Sequence, residues 1–490
     1  MQALSRRLYA AADVRELDRL AIEQAHLPGY TLMQRAAAAS WHALRARWPQ
    51  AQRVVVVAGP GNNGGDGYEI ARLAHAAGCA VQVIQVGAVP PRGEAHRAWA
   101  AWRAEGTIHP FAGECPSADV IVDALYGTGL TRAPAAEPAA AIAAINASRA
   151  RGTPVLAVDI PSGLDASTGA TPGVAVGADL TVTFIGNKLG LYLQSGPDLA
   201  GERCFAALDV PPSLYEAIAP RAWLMDREQL RMALPPRTRS AYKNRHGHVL
   251  IVGGNHGMAG AALLAGRSAL RSGAGLVSVA TREAHAVLLT AAQPELMCHG
   301  VEQAADLQGL CERADVIAIG PGLGQDEWSR QLWAAVLTSQ RPLVLDADAL
   351  NLLARHPQPL ADAVLTPHPG EAARLLGVDG VTVQRDRLAA LAALQHRYQA
   401  TVVLKGAGTL VGSAPPALCP HGNPGMAVAG MGDVLTGVIA ALRAQGLSAP
   451  SAASTGVLVH ALAGDQAAMT GERGLLPSDL IAALRSAVNP

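Results

Sequence analysis

The sequence predicts an α/β protein with two domains, each built on a parallel β-sheet covered by helices. Short β-branched runs alternate with alanine-rich stretches in both halves of the chain, an order typical of parallel sheets with helices on both faces. The chain has 490 residues, 50% of them hydrophobic, which is too long for one ordinary hydrophobic core. A segment rich in proline and arginine separates the two series of runs.

The expected strands are the β-branched runs themselves. Those of the first half cover residues 54–58, 81–86, 120–124, 155–160 and 180–184. Those of the second half cover residues 248–252, 276–280, 316–319, 343–346, 363–366 and 401–404. Parallel sheets bind ligands at the carboxyl ends of their strands, so we expect the functional residues to follow these runs directly.

The domain boundary is expected between the two series. Residues 211–245 contain two Pro-Pro pairs and a short basic stretch, and such segments are typical of linkers. We place the boundary near residue 222, which gives domains 1–221 and 222–490.

Composition excludes several classes of partner. Lys plus Arg and Asp plus Glu both total 39, so no net charge attracts nucleic acid or an anionic membrane. The six cysteines are scattered without a C-x-x-C pair, a pattern that favours reduced thiols over disulfides or zinc ligands. Charged residues interrupt the first 20 positions, which a signal peptide would not show. We therefore expect a cytoplasmic protein whose partners are small molecules.

A glycine- and asparagine-rich segment follows the first run, at residues 59–67, before a helix expected from Tyr68 onward. Its first six residues match the G-x-G-x-x-G turn that binds a dinucleotide pyrophosphate. The second run, however, is followed by Gly87 and Ala88 rather than by the acidic residue that binds ribose. An ordinary NAD-dependent dehydrogenase is therefore disfavoured. A tight turn without a ligand would not need two asparagines and an aspartate.

Two further runs carry an aspartate at or near their ends. Asp123 begins the sequence DALYGTG, and Asp159 begins DIPSGL. A buried carboxylate is costly unless it is paired, so each aspartate needs a cation, a donor or a ligand. Capping of a helix is the simpler alternative for each.

Together, the segments at 62–66, 122–129 and 159–164 resemble the NAD(P)H-hydrate epimerase domain over residues 1 to about 215. The resemblance implies a Rossmann-like domain in which Asp159 lies beside the hydrated nicotinamide and shuttles a proton between the R and S forms. It implies a potassium ion at Asn63, Asp123 and Ser162, since hard cations prefer oxygen ligands. The implied nucleotide-binding residues, besides Asp159, are Asn62, Asn63, Gly64, Gly65, Asp66, Gly127, Thr128, Gly129, Leu130, Thr131, Arg132 and Ala133.

Glycine-rich or polar segments also end the strands of the second half, at residues 320–324, 346–351, 366–371 and 405–409. The sharpest signal is GMGD at 430–433, ahead of a helix expected over 434–443. Glycine amides at a helix start can bind phosphate, and the adjacent carboxylate can take a proton from a hydroxyl. A plain helix cap remains the alternative.

Lysine is rare in this chain and occurs only as Lys188, Lys243 and Lys405. Each stands near one of the strands, and an ammonium performs tasks at phosphates that a planar guanidinium does not. The sequence leaves open whether Lys188 acts in catalysis or only packs.

Taken in order, these motifs resemble the ADP-dependent NAD(P)H-hydrate dehydratase domain, which is ribokinase-like, over about residues 225 to 490. The resemblance implies phosphoryl transfer from ADP to the ring hydroxyl, with Asp433 as general base, then loss of phosphate to leave NAD(P)H and AMP. Magnesium would accompany ADP, and the family's association implies a homo-oligomer. The implied contacts are Ala262, Gly322, His368 and Asp433 with the hydrate, and Lys405, Gly406, Ala407, Gly408, Thr409 and Gly432 with the adenine nucleotide.

Two other functions fit parts of the sequence. One is a kinase of a vitamin or sugar alcohol fused to a sensor domain, which the segment at 366–371 and the epimerase-like half oppose. The other treats the first domain as a binding module without activity, which Asp159 and the complete 62–66 segment oppose. The preference between NADH and NADPH hydrates, and between ADP and ATP, stays open.

Overall fold

The computed structural model describes residues 2–90, 92–130 and 132–490. The chain divides into two compact units, Met1–Trp223 and Leu224–Pro490, called unit 1 and unit 2 below. Each unit is built on parallel strands connected by helices, which confirms the predicted class of two α/β domains. None of the helices in the described part of the chain combines the length and hydropathy needed to cross a membrane.

The described residues of unit 1 form seven helices and ten strands, the last of which contains the boundary. The strands are β1 (Arg7–Tyr9), β2 (Arg53–Ala58), β3 (Ala80–Gln85), β4 (Ile108–Pro110), β5 (Val120–Ala124), β6 (Val155–Val158), β7 (Leu180–Phe184), β8 (Asn187–Lys188), β9 (Glu202–Ala206) and β10 (Ala222–Leu224). The helices are α1 (Gln2–Ser5), α2 (Ala11–Glu23), α3 (Gly29–Arg47), α4 (Asn62–Ala76), α5 (Gly93–Glu105), α6 (Ala136–Ala150) and α7 (Gly196–Leu199).

The main sheet of unit 1 is parallel throughout, in the order β4-β3-β2-β5-β6-β7-β9. Its central strand β2 is buried on both faces because the side chains alternate between two hydrophobic cores. Val54 and Val56 join the core formed with α3 and α4, whereas Val55 and Val57 join the core formed with α6. This two-sided burial leaves the strand ends as the place where polar side chains can gather.

Unit 2 contains twelve helices and nine strands. The strands are β11 (His248–Val252), β12 (Leu276–Thr281), β13 (Met297–Gly300), β14 (Val316–Ile319), β15 (Leu343–Leu345), β16 (Ala363–Leu365), β17 (Thr401–Leu404), β18 (Thr409–Val411) and β19 (Ala417–Cys419). The helices are α8 (Arg227–Ala233), α9 (Ala259–Arg271), α10 (Glu283–Ala292), α11 (Ala304–Arg313), α12 (Glu327–Thr338), α13 (Ala347–Arg355), α14 (Pro369–Leu376), α15 (Gly380–Arg385), α16 (Arg387–Tyr398), α17 (Met431–Ala444), α18 (Ala449–Ala467) and α19 (Pro477–Ala487).

The sheet of unit 2 is parallel from β13 to β17, in the order β13-β12-β11-β14-β15-β16-β17, and continues antiparallel through β18 and β19. Helix α17 packs against the sheet and against the helices α9 and α18, which also contact the sheet. Most of α17 is therefore apolar and buried, while its first turn, with Gly432 and Asp433, is only partly buried.

Both helices that carry the glycine motifs begin earlier than the sequence predicts. Helix α4 begins at Asn62 rather than Tyr68, and α17 begins at Met431 rather than Val434. Glycine and asparagine are poor helix formers, but close packing overrides that preference here. A methyl group on Gly67 would lie 2.6 Å from the Ala124 Cβ atom, so the glycines let α4 approach the sheet.

Candidate active sites

A cavity of about 580 Å³ lies at the carboxyl ends of the central strands of unit 1. The predicted residues that line it are Asn62, Asn63, Asp66, Gly127, Thr128, Gly129, Leu130 and Asp159. The cavity lining does not include Gly64, Gly65, Arg132 or Ala133, and Thr131 lies outside the described residues. Gly64 and Gly65 instead make close packing possible, because a methyl group on Gly64 would lie 1.9 Å from the Gly59 carbonyl oxygen.

Asp159 follows β6 in a backbone conformation that is unusual for a residue with a side chain. Its φ angle is +69°, in the left-handed region, which costs of order 1 kcal/mol for most residues. The conformation is held because the Asp159 amide donates to the Val182 carbonyl at 2.7 Å, and the Phe184 amide donates to the carboxylate at 3.4 Å. The carboxylate thereby lies at the cavity wall.

Lys188 is the cationic partner of Asp159. Its side chain is 1% exposed, and its ammonium forms an ion pair with the Asp159 carboxylate. The ammonium also donates to the Phe184 carbonyl at 2.8 Å. Burial lowers the pKa of Lys188, and the charge of Asp159 opposes that shift. Lys188 therefore lies in the site. The rarity of lysine in the chain drew attention to this residue, but no local motif predicted its position.

Two further carboxyl groups, Asp18 and Asp66, line the same cavity. Burial, followed by the negative charge of Asp159, raises the pKa of Asp18 and raises that of Asp66 well above its usual range. Burial thus makes the charged form of each carboxyl group more costly beside the Lys188–Asp159 pair. Sequence reasoning missed Asp18, because it lies on helix α2 with no motif around it and reaches the site only through the fold.

The structure brings together two of the three residues predicted to bind potassium. The Asp123 carboxylate is completely buried and accepts hydrogen bonds from the Ser162 amide at 2.8 Å and hydroxyl at 2.6 Å. Burial raises the pKa of Asp123 to about 6. Among the described residues, no Lys, Arg or His forms an ion pair with this carboxylate.

Asn63, the third predicted ligand, lies near Asp159. A methyl group on Gly127 would lie 3.3 Å from both the Asn63 Oδ1 and the Asp159 Oδ2 atoms. The Asn63 Nδ2 atom is buried without a hydrogen-bond partner. A carboxylate without a cation and side-chain oxygens nearby fit a hard monovalent cation, which prefers oxygen ligands.

The site of unit 2 is built around the ion pair of Lys405 and Asp346. The Lys405 ammonium lies 2.7 Å from Asp346 Oδ1 and 3.8 Å from Glu371 Oε2. The hydroxyls of Thr366 and Thr436 donate to the two carboxylate oxygens of Asp346, at 2.8 and 2.9 Å. Burial alone would raise the pKa of Asp346, but Lys405 and these donors lower it. Asp346 is therefore an anion that holds Lys405 in place.

Asp433 lies on the first turn of α17 and belongs to the same group. Burial, together with the negative charge of Asp346, raises its pKa to about 7. Glu371 on α14 has a similar environment, and burial raises its pKa to about 7 as well. Two carboxyl groups in this site therefore titrate near neutral pH. The sequence motifs contained Glu371 and Asp346, but their proximity required the fold.

His368 directly precedes α14, and its ring caps that helix. Its Nδ1 atom accepts hydrogen bonds from the Gly370 and Glu371 amides, at 3.0 and 3.3 Å. This pairing leaves Nε2 to carry the proton in the neutral ring. Burial, followed by the charge of Lys405, lowers the pKa of His368, so the ring is neutral at pH 7 and its side chain, 57% exposed, is accessible.

Gly322 packs against the start of α9, the helix that contains Ala262. A methyl group on Gly322 would lie 2.7 Å from the Met258 carbonyl oxygen and 3.1 Å from the Ala261 Cβ atom. Ala262 itself is completely buried. The fold thus brings both predicted residues to one place, where Gly322 permits the close approach of its turn to the helix.

The segment from Lys405 to Gly408 forms a loop between β17 and β18, and Thr409 begins β18. Within it, Gly406 and Gly408 have positive φ angles of 129° and 66°, and Gly406 and Ala407 are exposed. The buried guanidinium of Arg387 supports the loop, donating to carbonyls that include Lys405 and Gly408 at 3.2 and 3.4 Å. Sequence reasoning missed Arg387, one of many arginines without a motif.

Gly432 faces the ion pair from the start of α17. A methyl group there would lie 3.2 Å from the Lys405 ammonium and 3.4 Å from Asp346 Oδ2. The absence of a side chain therefore leaves the ammonium and the helix amides open to an anion. The structure brings Lys405, Gly432 and Asp433 together as one site.

Comparisons with known proteins cover both units. A family model described as YjeF-related protein N-terminus matches residues 29–190. A second model, described as NAD(P)H-hydrate dehydratase, matches residues 249–486.

Relatives match along the whole chain. The bifunctional NAD(P)H-hydrate repair enzyme of Coxiella burnetii is 47% identical over 99% of this chain and 99% of its own length. The enzyme of the same name from Escherichia coli is 45% identical over 99% of this chain and 94% of its own.

Among solved structures, the ADP/ATP-dependent NAD(P)H-hydrate dehydratase from Bacillus subtilis, co-crystallised with ATP and Mg²⁺, is 35% identical with a TM-score of 0.50. The match covers 54% of this chain and 96% of that one. A ribokinase-like protein from Enterococcus faecalis is 33% identical with a TM-score of 0.52, over 55% and 96% of the two chains.

Proposed function

The chain belongs to the family of bifunctional NAD(P)H-hydrate repair enzymes, and we propose that each of its two activities resides in one of the sites described. Unit 1 interconverts the R and S hydrates of NADH and NADPH. Unit 2 dehydrates the S form at the expense of ADP. The observation that supports this division best is that Asp159 and Asp433 each lie in a separate cluster of buried charges beside a lysine.

In unit 1, Asp159 acts on the hydrated nicotinamide in the cavity. Epimerisation requires the ring carbon–oxygen bond to open and reclose on the other face, which needs a proton to be moved to and from oxygen. Asp159 is the group that moves it, and the Lys188 ammonium forms an ion pair with its carboxylate. Asp66, whose pKa is raised by burial and by the charge of Asp159, is a second carboxyl group on the wall of the same cavity.

The remaining predicted residues of unit 1 bind the nucleotide. Asn62, Asn63 and Asp66 come from the start of α4, and Gly127 to Leu130 follow β5. Their positions on the cavity wall support this role. Arg132 and Ala133, which are exposed outside that wall, and Thr131 are proposed from the family resemblance alone.

In unit 2, Asp433 takes the proton from the ring hydroxyl as that oxygen attacks the terminal phosphoryl group of ADP. A general base works best when its pKa lies near the operating pH, and the pKa of Asp433 is about 7. AMP leaves, and expulsion of phosphate from the ring, with loss of a proton from the adjacent ring carbon, then restores the double bond of NADH or NADPH. Lys405 and the amides at Gly432 bind the phosphates, with Gly406 to Thr409 beside them, while Ala262, Gly322 and His368 contact the hydrate.

Two cations are part of the proposal. Magnesium accompanies ADP and neutralises its phosphates. Among the described residues there is no cluster of three His, Cys, Asp or Glu that could hold a metal, which suits magnesium bound mainly through substrate phosphates. Potassium is held by Asn63, Asp123 and Ser162, where it offsets the buried Asp123 charge. A homo-oligomer and a cytoplasmic location stay predictions.

The test is recovery of absorbance at the reduced-nicotinamide band. Purified protein is mixed with an R and S mixture of hydrated NADH, magnesium, potassium and ADP. We expect complete recovery, with formation of AMP and phosphate. If the absorbance does not recover with ADP or with ATP, that result would contradict the proposed repair activity and favour a small-molecule kinase.

A further inference from the structure

Unit 2 has a smaller cavity of about 280 Å³, lined by Gln325, Asn351, Ala354, Arg355 and Arg374. These residues come from the turn after β14 and from helices α13 and α14. The same turn contains Gly322, and α14 begins after His368. The cavity therefore lies on the elements that carry the proposed hydrate contacts.

The cavity has a positive charge that no carboxylate directly offsets. The Arg355 guanidinium donates to the Gln325 side-chain oxygen, and the Arg374 guanidinium donates to the Asn351 side-chain oxygen. Among the described residues, neither arginine forms an ion pair. Both side chains are exposed, so an anion can reach them. Two such guanidinium groups are suited to binding a phosphate.

Asp348 connects this cavity to the catalytic group. Its carboxylate accepts from the Gly324 amide at 2.8 Å and from the side-chain amides of Gln325 and Asn351, each at 3.3 Å. The amides thus donate to Asp348 on one side and accept from the arginines on the other. This arrangement fixes both amide orientations, so the arginines are held at the cavity by neutral partners.

Helix α14 connects the cavity to the reacting groups, because Arg374 lies on the same face as Glu371, three residues earlier, and Glu371 Oε2 lies 3.8 Å from the Lys405 ammonium. The negative charge of Asp348 contributes to the raised pKa of Asp433. The positive charge of Arg374 contributes to the lowered pKa of His368. A molecule that contacts His368 and Asp433 with its nicotinamide end is thus within reach of Arg374 with another part.

The volume of the cavity limits what it can hold. A pocket for a drug-sized ligand has about 300 to 1,000 Å³, so about 280 Å³ suits a phosphate with part of a ribose and not a whole nucleotide. A hydrated dinucleotide offers such groups, since it carries a pyrophosphate and, in the NADPH form, a further phosphate on its adenosine ribose.

We propose that Arg355 and Arg374 bind a phosphate group of the hydrated dinucleotide and so help to select the substrate of the dehydratase. This inference rests on the proposed function of unit 2. The pyrophosphate is common to both hydrates, whereas the ribose phosphate exists only in the NADPH form. Comparing the hydrates of NADH and NADPH therefore distinguishes binding of the pyrophosphate from binding of the ribose phosphate.

The experiment measures kcat and KM of the full-length protein carrying Arg355→Gln and Arg374→Gln together. The substrates are the S hydrates of NADH and of NADPH, with ADP and magnesium. We expect KM for the hydrate to rise roughly tenfold, because hydrogen bonds to a charged group are lost, while kcat and KM for ADP stay unchanged. Arg271→Gln is the matched control, since Arg271 is an exposed arginine at the end of α9.

The pattern of the change decides the assignment. If KM rises for both hydrates, Arg355 and Arg374 bind the pyrophosphate. If KM rises for the NADPH hydrate alone, they bind the ribose phosphate. Unchanged KM for both hydrates, or a rise in KM for ADP alone, would overturn the inference. Absence of activity in the unmodified protein would instead refute the proposed function.

Discussion

The two sites share a lysine–aspartate pair at the carboxyl ends of parallel strands. In unit 1, Lys188 pairs with Asp159, and in unit 2, Lys405 pairs with Asp346. Each pair is next to backbone in the left-handed region. Asp159 itself has a φ angle of +69°, and Ala347, directly after Asp346, has one of +46°. In both units, a strained backbone conformation occurs where a carboxylate pairs with a lysine.

The sites differ in which carboxylate is proposed to move the proton. In unit 1, it is Asp159, the partner of the lysine. In unit 2, Asp346 holds the lysine, and Asp433, whose charge no close ion pair offsets among the described residues, is the base. Pairing keeps a carboxylate charged, whereas burial without pairing raises its pKa toward neutrality. A lysine and buried aspartates are present in both units, but the proposed proton-transfer group differs between them.

The largest expected effect is loss of one activity without the other. Asp433→Asn removes the proposed base and should lower kcat for dehydration by roughly 10²- to 10⁴-fold, while epimerisation continues. Asp159→Asn should stop epimerisation and leave dehydration of the S form intact. Chromatography of the two epimers and absorbance of the reduced nicotinamide measure the two reactions. Loss of both activities in either single variant would contradict the assignment of one site to each unit.

The next effect concerns stability. Lys188→Met leaves the Asp159 charge buried without its cation, and we expect the free energy of unfolding to fall by about 3 kcal/mol. Adding Asp159→Asn should restore part of that loss, because the unpaired charge is removed. Denaturant unfolding followed by circular dichroism measures both. Lys243→Met, at an exposed lysine, is the control, and an equal loss in that variant would contradict the ion-pair explanation.

A pH profile sharpens the difference between the two carboxylates. A base must be deprotonated, and the pKa of Asp433 is raised to about 7, so dehydration should slow as pH falls through that value. The expected change in kcat/KM is roughly tenfold between pH 6 and 8.

Glu371 also has a pKa of about 7 and provides the control for this profile. Glu371→Gln retains an oxygen that can accept from the His368 amide, and the profile should persist in this variant. If the pH dependence disappears in Glu371→Gln, Glu371 rather than Asp433 is the titrating group.

The smallest effects come from adding a methyl group beside each pair. In Gly127→Ala it would lie 3.3 Å from Asp159 Oδ2, and in Gly432→Ala 3.2 Å from the Lys405 ammonium. We expect KM to rise roughly fivefold in the corresponding reaction only. Gly380→Ala, where the methyl group meets nothing within 4 Å, should change neither reaction. Equal effects from all three substitutions would argue against crowding of the sites.

Much of the architecture follows from local patterns in the sequence. All the predicted strands are present, and their ends differ from prediction by at most two residues. The predicted glycine motif at α4 follows β2 directly, as expected at the carboxyl end of a parallel strand. The motif at α17 instead follows an irregular segment after β19. The predicted helix starts at Tyr68 and Val434 were wrong, because α4 and α17 begin at Asn62 and Met431, where packing of glycine against the sheet overrode helix propensity.

The sequence by itself determined the two α/β units and the residue types at the ends of their strands, because alternation and glycine content are local properties. Only the tertiary structure decided which charges meet. Asp18 reaches the Lys188–Asp159 pair, and Asp346 reaches Lys405 across 59 positions of the chain. The burial that raises the pKa of Asp433 is likewise produced by elements distant in the chain, since desolvation depends on everything packed around a group.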